Sequence, residues 1–352
     1  MRGTRRAVSV LSLGLLLLGG SAYAWDRGRV RTFAVMPPGS TGPEGLEVGP
    51  HGNVYVTGFG FTATGSATGR GQLTVFDAHG RLVRQVSVTP SSPHLLGLRF
   101  HPHTGVLLVN DFGAGQVLAV DPRTGAAQPF ITLPALPHSG GAGLNDITFD
   151  HAGNVYVSDS AQGIIWKAPP NGGVATAWID DPLLRTSGVP AFGANGLRFN
   201  QEETALYVAN TGNDTVLKIP VVGSNPGGPP AIFAQAINGA DGLLVDAHDN
   251  VWVAGNQSDD VVVLDPTGKA IARLGDFGGA VRHGSPVGLL FPASIRFSGR
   301  HLLVTNLALD LRIFSPDDST PDSDWCAQVS RYTISAIPIG DGRDDDHGEW
   351  DD

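Results

Sequence analysis

Three observations predict an all-β chain folded as a six-bladed β-propeller with four-stranded blades. An internal repeat occurs in six copies, each copy carries a strand signature, and no helical period is found beyond residue 24. The copies begin at Glu44-Gly-Leu, Leu96-Gly-Leu, Asn145-Asp-Ile, Asn195-Gly-Leu, Asp241-Gly-Leu and Ala293-Ser-Ile, about 46 to 52 residues apart, which suits a blade of four strands.

The first strand of a copy is short and runs into turn chemistry, as at Pro50-His-Gly, His151-Ala-Gly, Gln201-Glu-Glu and Ala247-His-Asp. Second strands follow at Asn53-Val-Tyr-Val, Val106-Leu-Leu-Val, Asn154-Val-Tyr-Val, Ala205-Leu-Tyr-Val, Asn250-Val-Trp-Val and His301-Leu-Leu-Val. Their β-branched and aromatic content favours a pleated, half-buried surface over a helix. Asn53, Asn154 and Asn250 read as turn formers there. Third strands are clearest at Gln72-Leu-Thr-Val-Phe, Gln116-Val-Leu-Ala-Val, Thr215-Val-Leu-Lys-Ile and Asp260-Val-Val-Val-Leu. A strand around Val30 to Val35 precedes the first copy and another, Val329 to Ile334, follows the sixth. The N-terminal strand is therefore expected to complete the last blade, closing the ring and removing a sheet edge.

Residues 1–24 read as an export signal: Arg2, Arg5 and Arg6, the apolar run Leu11 to Leu18, then the small-residue site Ala22-Tyr23-Ala24. The run is too short to span a bilayer, so the mature chain is expected to be exported, periplasmic or extracellular, and without a membrane anchor. The repeat spans 25–340 as one domain, and residues 341–352 form an acidic tail with seven acids against Arg343, read as solvated and disordered. Loss of the signal moves the formal net charge from −10 to −13, which gives no electrostatic reason to bind nucleic acid or an anionic membrane. Cys326 is alone, so no intramolecular disulfide forms, and a buried thiol is expected. The 48 glycines fall at turns between strands rather than in a fibrous pattern.

Glu44, Asn145, Asn195 and Asp241 start four of the six inner strands at one register. In a propeller those positions ring one mouth of the central channel. Asn-Gly and Asp-Gly are ordinary turn pairs, and any one of these residues alone would be read that way. Four at one register point instead to a shared site. Two carboxylates and two amide oxygens make a hard, all-oxygen set suited to Ca²⁺, or another divalent metal in its place, rather than to zinc. No Gly-x-Ser-x-Gly elbow, no His-Glu-x-x-His and no paired cysteines occur, and Gly58 and Gly60 do not sit between a strand and a helix.

On the segments Gly42-Pro-Glu-Gly-Leu, Gly143-Leu-Asn-Asp-Ile, Gly193-Ala-Asn-Gly-Leu and Gly239-Ala-Asp-Gly-Leu the chain resembles the six-bladed calcium propeller hydrolases. That group includes the regucalcin/gluconolactonase family, the paraoxonases and diisopropyl fluorophosphatase. The resemblance implies that Glu44, Asn145, Asn195 and Asp241 hold a catalytic calcium. Leu-Asn-Asp-Ile is similar to the paraoxonases, which implies Asp146 as a ligand to a second, structural calcium. Where regucalcin-like lactonases carry a sugar-holding arginine this chain has Gly143-Leu144, a departure that points away from sugar lactones. Where paraoxonases carry a catalytic histidine it has Leu96, with His94 two residues earlier. In the sixth copy the register falls on Ala293-Ser294, so Leu96 and Ser294 are expected to line the site.

His94, His138 and His283 lie in loops leading into inner strands on the same face and are the candidates for general acid or base, with Asp241 as base or nucleophile. The loops Gly58 to Gly71, Leu133 to Gly143 and Phe277 to Pro292 are expected to wall that mouth and favour an apolar or mixed small-molecule substrate. The expected function is a monomeric calcium-dependent hydrolase of lactones or esters, with phosphotriesters as a side activity. The alternative is a non-catalytic propeller of the NHL type binding a protein or glycan, since Pro43-Glu-Gly-Leu-Glu-Val with Gly52-Asn-Val-Tyr-Val resembles that repeat too. A strictosidine-synthase-like condensation needs a glutamate near the sixth blade, and there is none between Asp276 and Asn306.

Overall fold

The structure, a computed structural model, describes residues 27–62 and 64–339; the expected signal and acidic tail lie outside them. Six sheets, each with four antiparallel strands, form the blades of a propeller; the second and fourth blades add a short fifth strand, Gly173–Val174 and Asn225–Pro226. Their innermost strands are Pro43–Val48, Leu95–Phe100, Leu144–Phe149, Ala194–Phe199, Ala240–Val245 and Pro292–Ser298. Each touches the innermost strands of both neighbours, and the first touches the sixth, so the ring is closed.

Closure is by the chain ends, as expected. Arg31–Val35 pairs with Thr333–Pro338, which pairs with His301–Asn306, which pairs with Pro292–Ser298. The C-terminal strand begins later than the sequence suggests. Val329 belongs to the buried packing around Cys326 instead, because one turn of α-helix, Ser323–Cys326, lies in the connection before it. Two of the long loops also hold small hairpins, Phe61–Thr62 with Gly65–Ser66 and Phe277–Arg282 with Ser285–Gly288. The turn reading of two asparagines is confirmed: Asn154 Nδ2 donates to Asp150 and Asn250 Nδ2 to Asp246, each within its hairpin.

The apolar core is six clusters, one at each blade interface. Tyr207 and Val253, for example, meet between the fourth and fifth blades, and Trp252 and Ile295 between the fifth and sixth. Each fully buried side chain of this kind stabilises by roughly 1.5–3 kcal/mol relative to exposure. The interfaces rather than the sheets thus carry the hydrophobic stabilisation.

Every innermost strand contains a β-bulge at the same place, between Pro43 and Leu46 in the first blade and at the matching residues of the other five. In an unbroken strand positions one and three share a face. The bulge shifts that alternation. As a result position one (Glu44, Leu96, Asn145, Asn195, Asp241, Ala293) and position four (Glu47, Arg99, Thr148, Arg198, Leu244, Arg296) both face the channel, while position three (Leu46, Leu98, Ile147, Leu197, Leu243, Ile295) enters the core. Position two is glycine in four blades for a reason of space. A Cβ on Gly196 would stand 2.4 Å from the Asp241 carbonyl oxygen, and one on Gly242 2.5 Å from that of Ala293. Gly196→Ala is therefore expected to cost about 1–3 kcal/mol, the usual range for overpacking, and to displace Asp241. Thermal unfolding with and without calcium checks both effects.

The segment before the last strand brings the half-buried Asp322 against the buried Asp259 of the fifth blade. Asp259, in a left-handed turn at φ 53°, accepts from the Phe291 amide at 2.8 Å and lies against Asp322. Burial, then the Asp322 charge, pushes Asp259 up to about 8. Burial, then Asp259 and Asp322, pushes the Cys326 thiol up, so this lone cysteine is an inert core group. A carboxyl raised in the folded state holds a proton the unfolded chain has lost. Its contribution is full below the unfolded value and is lost as pH rises through the folded one. Asp259→Asn keeps the acceptor for Phe291 and is expected to flatten the fall in stability between about pH 4 and about pH 8. Melting temperatures across that range are the check: a gain at the alkaline end and none at the acid end.

Candidate functional site

The structure brings Glu44, Asn145, Asn195 and Asp241 together at one mouth of the channel, all buried, around a small cavity that Leu96 also lines. Their backbone is fixed by contacts running from each blade to the next. The Thr57 hydroxyl donates to the Leu96 carbonyl (2.5 Å), Asn110 Nδ2 to that of Asn145 (2.7 Å) and Ser160 Oγ to that of Ala194 (2.6 Å). Thr211 Oγ1 donates to Ala240 (2.8 Å) and Thr305 Oγ1 to Glu44 (3.1 Å). The ring residues thus sit on rigid strands tied to one another.

The same hydroxyls orient the amides. Asn145 Nδ2 donates to Ser160 Oγ at 3.2 Å and Asn195 Nδ2 to Thr211 Oγ1 at 2.9 Å, so each amide is held by its nitrogen with its oxygen left over. Asn256 Nδ2 donates to Asp241 Oδ2 at 3.1 Å. Gly239, at φ +65°, gives Asn256 room by having no side chain, since a Cβ there would fall 1.7 Å from Asn256 Oδ1. Ser160, Thr211 and Asn256 were not singled out from the sequence. Their signal is a second shared register, one residue past the second strand of each blade, occupied by Phe59, Phe112 and Leu307 in the other three.

Glu44 Oε2, Asn145 Oδ1 and Asp241 Oδ1 are buried and accept no hydrogen bond. Burial, then the Asp241 and Asp146 charges, holds the Glu44 carboxyl well above the usual range. Burial raises Asp241 to about 7, tempered by the Asn256 and Asn195 amides and increased by Asp146. Unpartnered acceptors of like charge in a dry site are costly unless a cation joins them. The cavity among them is about 20 Å³, room for one ion or one water. Among the described residues no group of three His, Cys, Asp or Glu forms a site. The donor set is mixed, two carboxylates with two amides, which fits a hard cation with oxygen preference.

Above the ring lies an aromatic roof that sequence reasoning missed. Phe59 and Phe192 line the cavity, and Phe59 packs edge-on to Phe112 (5.5 Å between centroids) and Phe61 (4.8 Å), while Phe192 lies 5.9 Å from Phe314. Phe59 and Phe112 share the register one residue past the second strand, whereas Phe61, Phe192 and Phe314 come from separate connections. Pro190, Phe291, Leu307 and Leu309 complete an apolar wall.

The three histidines do not line this cavity. His94 is bound into the roof, Nδ1 at 2.7 Å from the Phe59 carbonyl, Nε2 at 3.2 Å from Ser66 Oγ, and its ring stacked on Phe61. His138 pairs with Asp180 at 2.8 Å beside Arg185, and His283 is exposed at a hairpin tip. Ser294 sits beside the ring, its amide donating to Thr305 Oγ1, but does not line the cavity either. Asp146 is engaged on both oxygens: Oδ1 accepts from the Ile147 amide, and Oδ2 accepts from Arg198 at 2.7 Å. Asp146, expected as a ligand to a second cation, is thus paired with Arg198.

The sequence model of the family described as "SMP-30/Gluconolactonase/LRE-like region" matches residues 89–275. No curated protein sequence matches the chain. Among solved structures, regucalcin from Agrobacterium tumefaciens, titled a calcium-binding protein, is 18% identical with a TM-score of 0.62, covering 89% of this chain and 96% of that one. A gluconolactonase from Xanthomonas campestris is 15% identical with a TM-score of 0.59, covering 89% and 90%. Virginiamycin B lyase from Staphylococcus aureus is 13% identical with a TM-score of 0.53, covering 79% and 82%. At these identities the likeness shows the fold alone.

Proposed function

The chain belongs to the SMP-30/gluconolactonase/LRE-like family, and from that premise we propose that it is an exported, monomeric, calcium-dependent hydrolase of small lactones or esters. The observation that carries this reading is the convergence of unpartnered buried oxygens from Glu44, Asn145 and Asp241 in an ion-sized cavity. Glu44, Asn145, Asn195 and Asp241 would hold the cation. Bound calcium supplies Lewis-acid polarisation of an acyl oxygen and compensation for the charge that develops on it.

The protein's own part is orientation and water exclusion. Asn256 fixes one oxygen of Asp241 and leaves the other turned to the cavity, which suits Asp241 to act as base or nucleophile. Phe59, Phe192 and Leu96 offer an apolar wall to the substrate body. With no arginine and only Thr211 and Asn256 polar beyond the ring itself, the lining suits an apolar lactone or aryl ester better than a sugar lactone or a polyanion. The 20 Å³ cavity is too small for such a molecule, so Phe59 or Phe192 must swing aside on binding.

The test is a panel of aliphatic and sugar lactones, aryl esters and phosphotriesters, assayed with calcium and with chelator. Hydrolysis of the apolar lactones or aryl esters that chelator abolishes is expected. Turnover indifferent to chelator contradicts the reading, and no turnover on any member returns the chain to a binding propeller.

A further inference from the structure

At the opposite end of the channel, we infer a binding site for a small organic carboxylate, held by Arg99 and Arg198. The two guanidiniums sit at position four of their strands, roughly 10 Å along the channel from the acidic ring by strand rise. They face a cavity of about 300 Å³ lined from five blades, with Thr148 and Leu244 as its other channel-facing walls.

The lower layer holds three arginines against two carboxylates. Glu47 is ion-paired with Arg99 Nε (3.3 Å) and accepts from Arg296 Nε (3.1 Å), so one carboxylate is shared by two guanidiniums. Asp146 is matched to Arg198 Nη1 at 2.7 Å. One positive charge is left without a partner. Three guanidinium nitrogens are left as well: Arg99 Nη1, Arg198 Nε and Arg198 Nη2 are buried and donate to nothing, although Arg198 as a whole is only 5% exposed. Burial, and after it the Arg99 charge, depresses the Arg198 pKa.

Buried guanidinium donors with excess charge call for an oxyanion, and paired N–H groups match the two oxygens of a carboxylate. Within this layer the guanidiniums exceed the carboxylates by one, and with Asp150 and Glu203 also lining the cavity a monoanion is the most charge the site accepts. The acids at the rim are already satisfied: Glu203 by His151, and Asp150 by Asn154 and Tyr156. Their charges disfavour a dianion such as phosphate. The volume admits a metabolite rather than an ion alone. This site is independent of the acidic ring and of the hydrolase reading.

The experiment is thermal unfolding and calorimetric titration in metal-free buffer at constant ionic strength, with sodium acetate, inorganic phosphate or sodium chloride as probe. Acetate is expected to raise the melting temperature by about 2–4 °C at saturating concentration, with phosphate weaker. Arg99→Gln removes the surplus charge and one donor while Arg296 keeps Glu47 paired, so the fold is retained. It should weaken acetate binding at least tenfold, and Arg99→Lys should restore only part. Equal stabilisation by chloride, undiminished acetate binding in Arg99→Gln, or binding of phosphate alone would overturn the assignment.

Discussion

Glu44→Gln should stabilise the metal-free protein and destabilise the calcium-loaded one relative to wild type. Without a cation, Glu44 is a buried carboxyl with an unpartnered Oε2, pressed by Asp241 and Asp146. Replacing it with a neutral amide of the same shape relieves a desolvation and repulsion cost on the order of 1–3 kcal/mol. The relief grows with pH, because a raised carboxyl loses its stabilising proton as pH climbs through its folded value. With calcium the sign reverses. Wild type gains about 2.7 kcal/mol at a calcium concentration 100 times Kd, and the variant forfeits most of that gain with its charged ligand. A pair of melting curves per protein, with calcium and with chelator, shows the crossing. A variant less stable than wild type in both conditions would mean that Glu44 serves packing instead.

Asn195→Ala removes a ligand without removing a charge, so its expected effect falls on binding and turnover. Calcium affinity and hydrolysis should drop together by two orders of magnitude or more, the scale on which loss of a single supporting group already costs roughly 10–100-fold. Thr211→Val is the graded companion. It leaves the Asn195 oxygen in place but frees the amide that Thr211 Oγ1 holds at 2.9 Å and gives up the bond to Ala240. A loss of about 10–100-fold is expected, with KM for calcium moving more than kcat. If Thr211→Val lowered thermal stability while leaving calcium affinity unchanged, the hydroxyl would be a strut between blades and not an orienting group.

The fold was legible because a propeller repeats: six strand starts at one spacing, and two chain ends that each supply a strand. The ring was legible for the same reason, since position one of an inner strand is the one place where residues far apart in sequence share a register. The lower arginine layer was not, although Arg99, Arg198 and Arg296 are just as periodic. A plain strand would send positions one and four to opposite faces, and only the bulge, carried on glycines packed against the next blade, turns both inward. That layer pairs Asp146 with Arg198, while the Asp146 charge still bears on Glu44 and Asp241. The roof was hidden for another reason. Phe59 and Phe112 share a register, but Phe192 and Phe314 come from loops of unequal length, and the packing that gathers all four leaves no period in the sequence. The histidines show the converse, because a loop that leads to the right face need not put its side chain in the cavity.

The most direct test of the account is calorimetric titration of calcium into the metal-free wild-type chain. One binding event per chain, absent in Asn195→Ala, is the predicted result. No binding at millimolar calcium, or binding unaffected by that substitution, would contradict the claim that these four oxygens form a cation site.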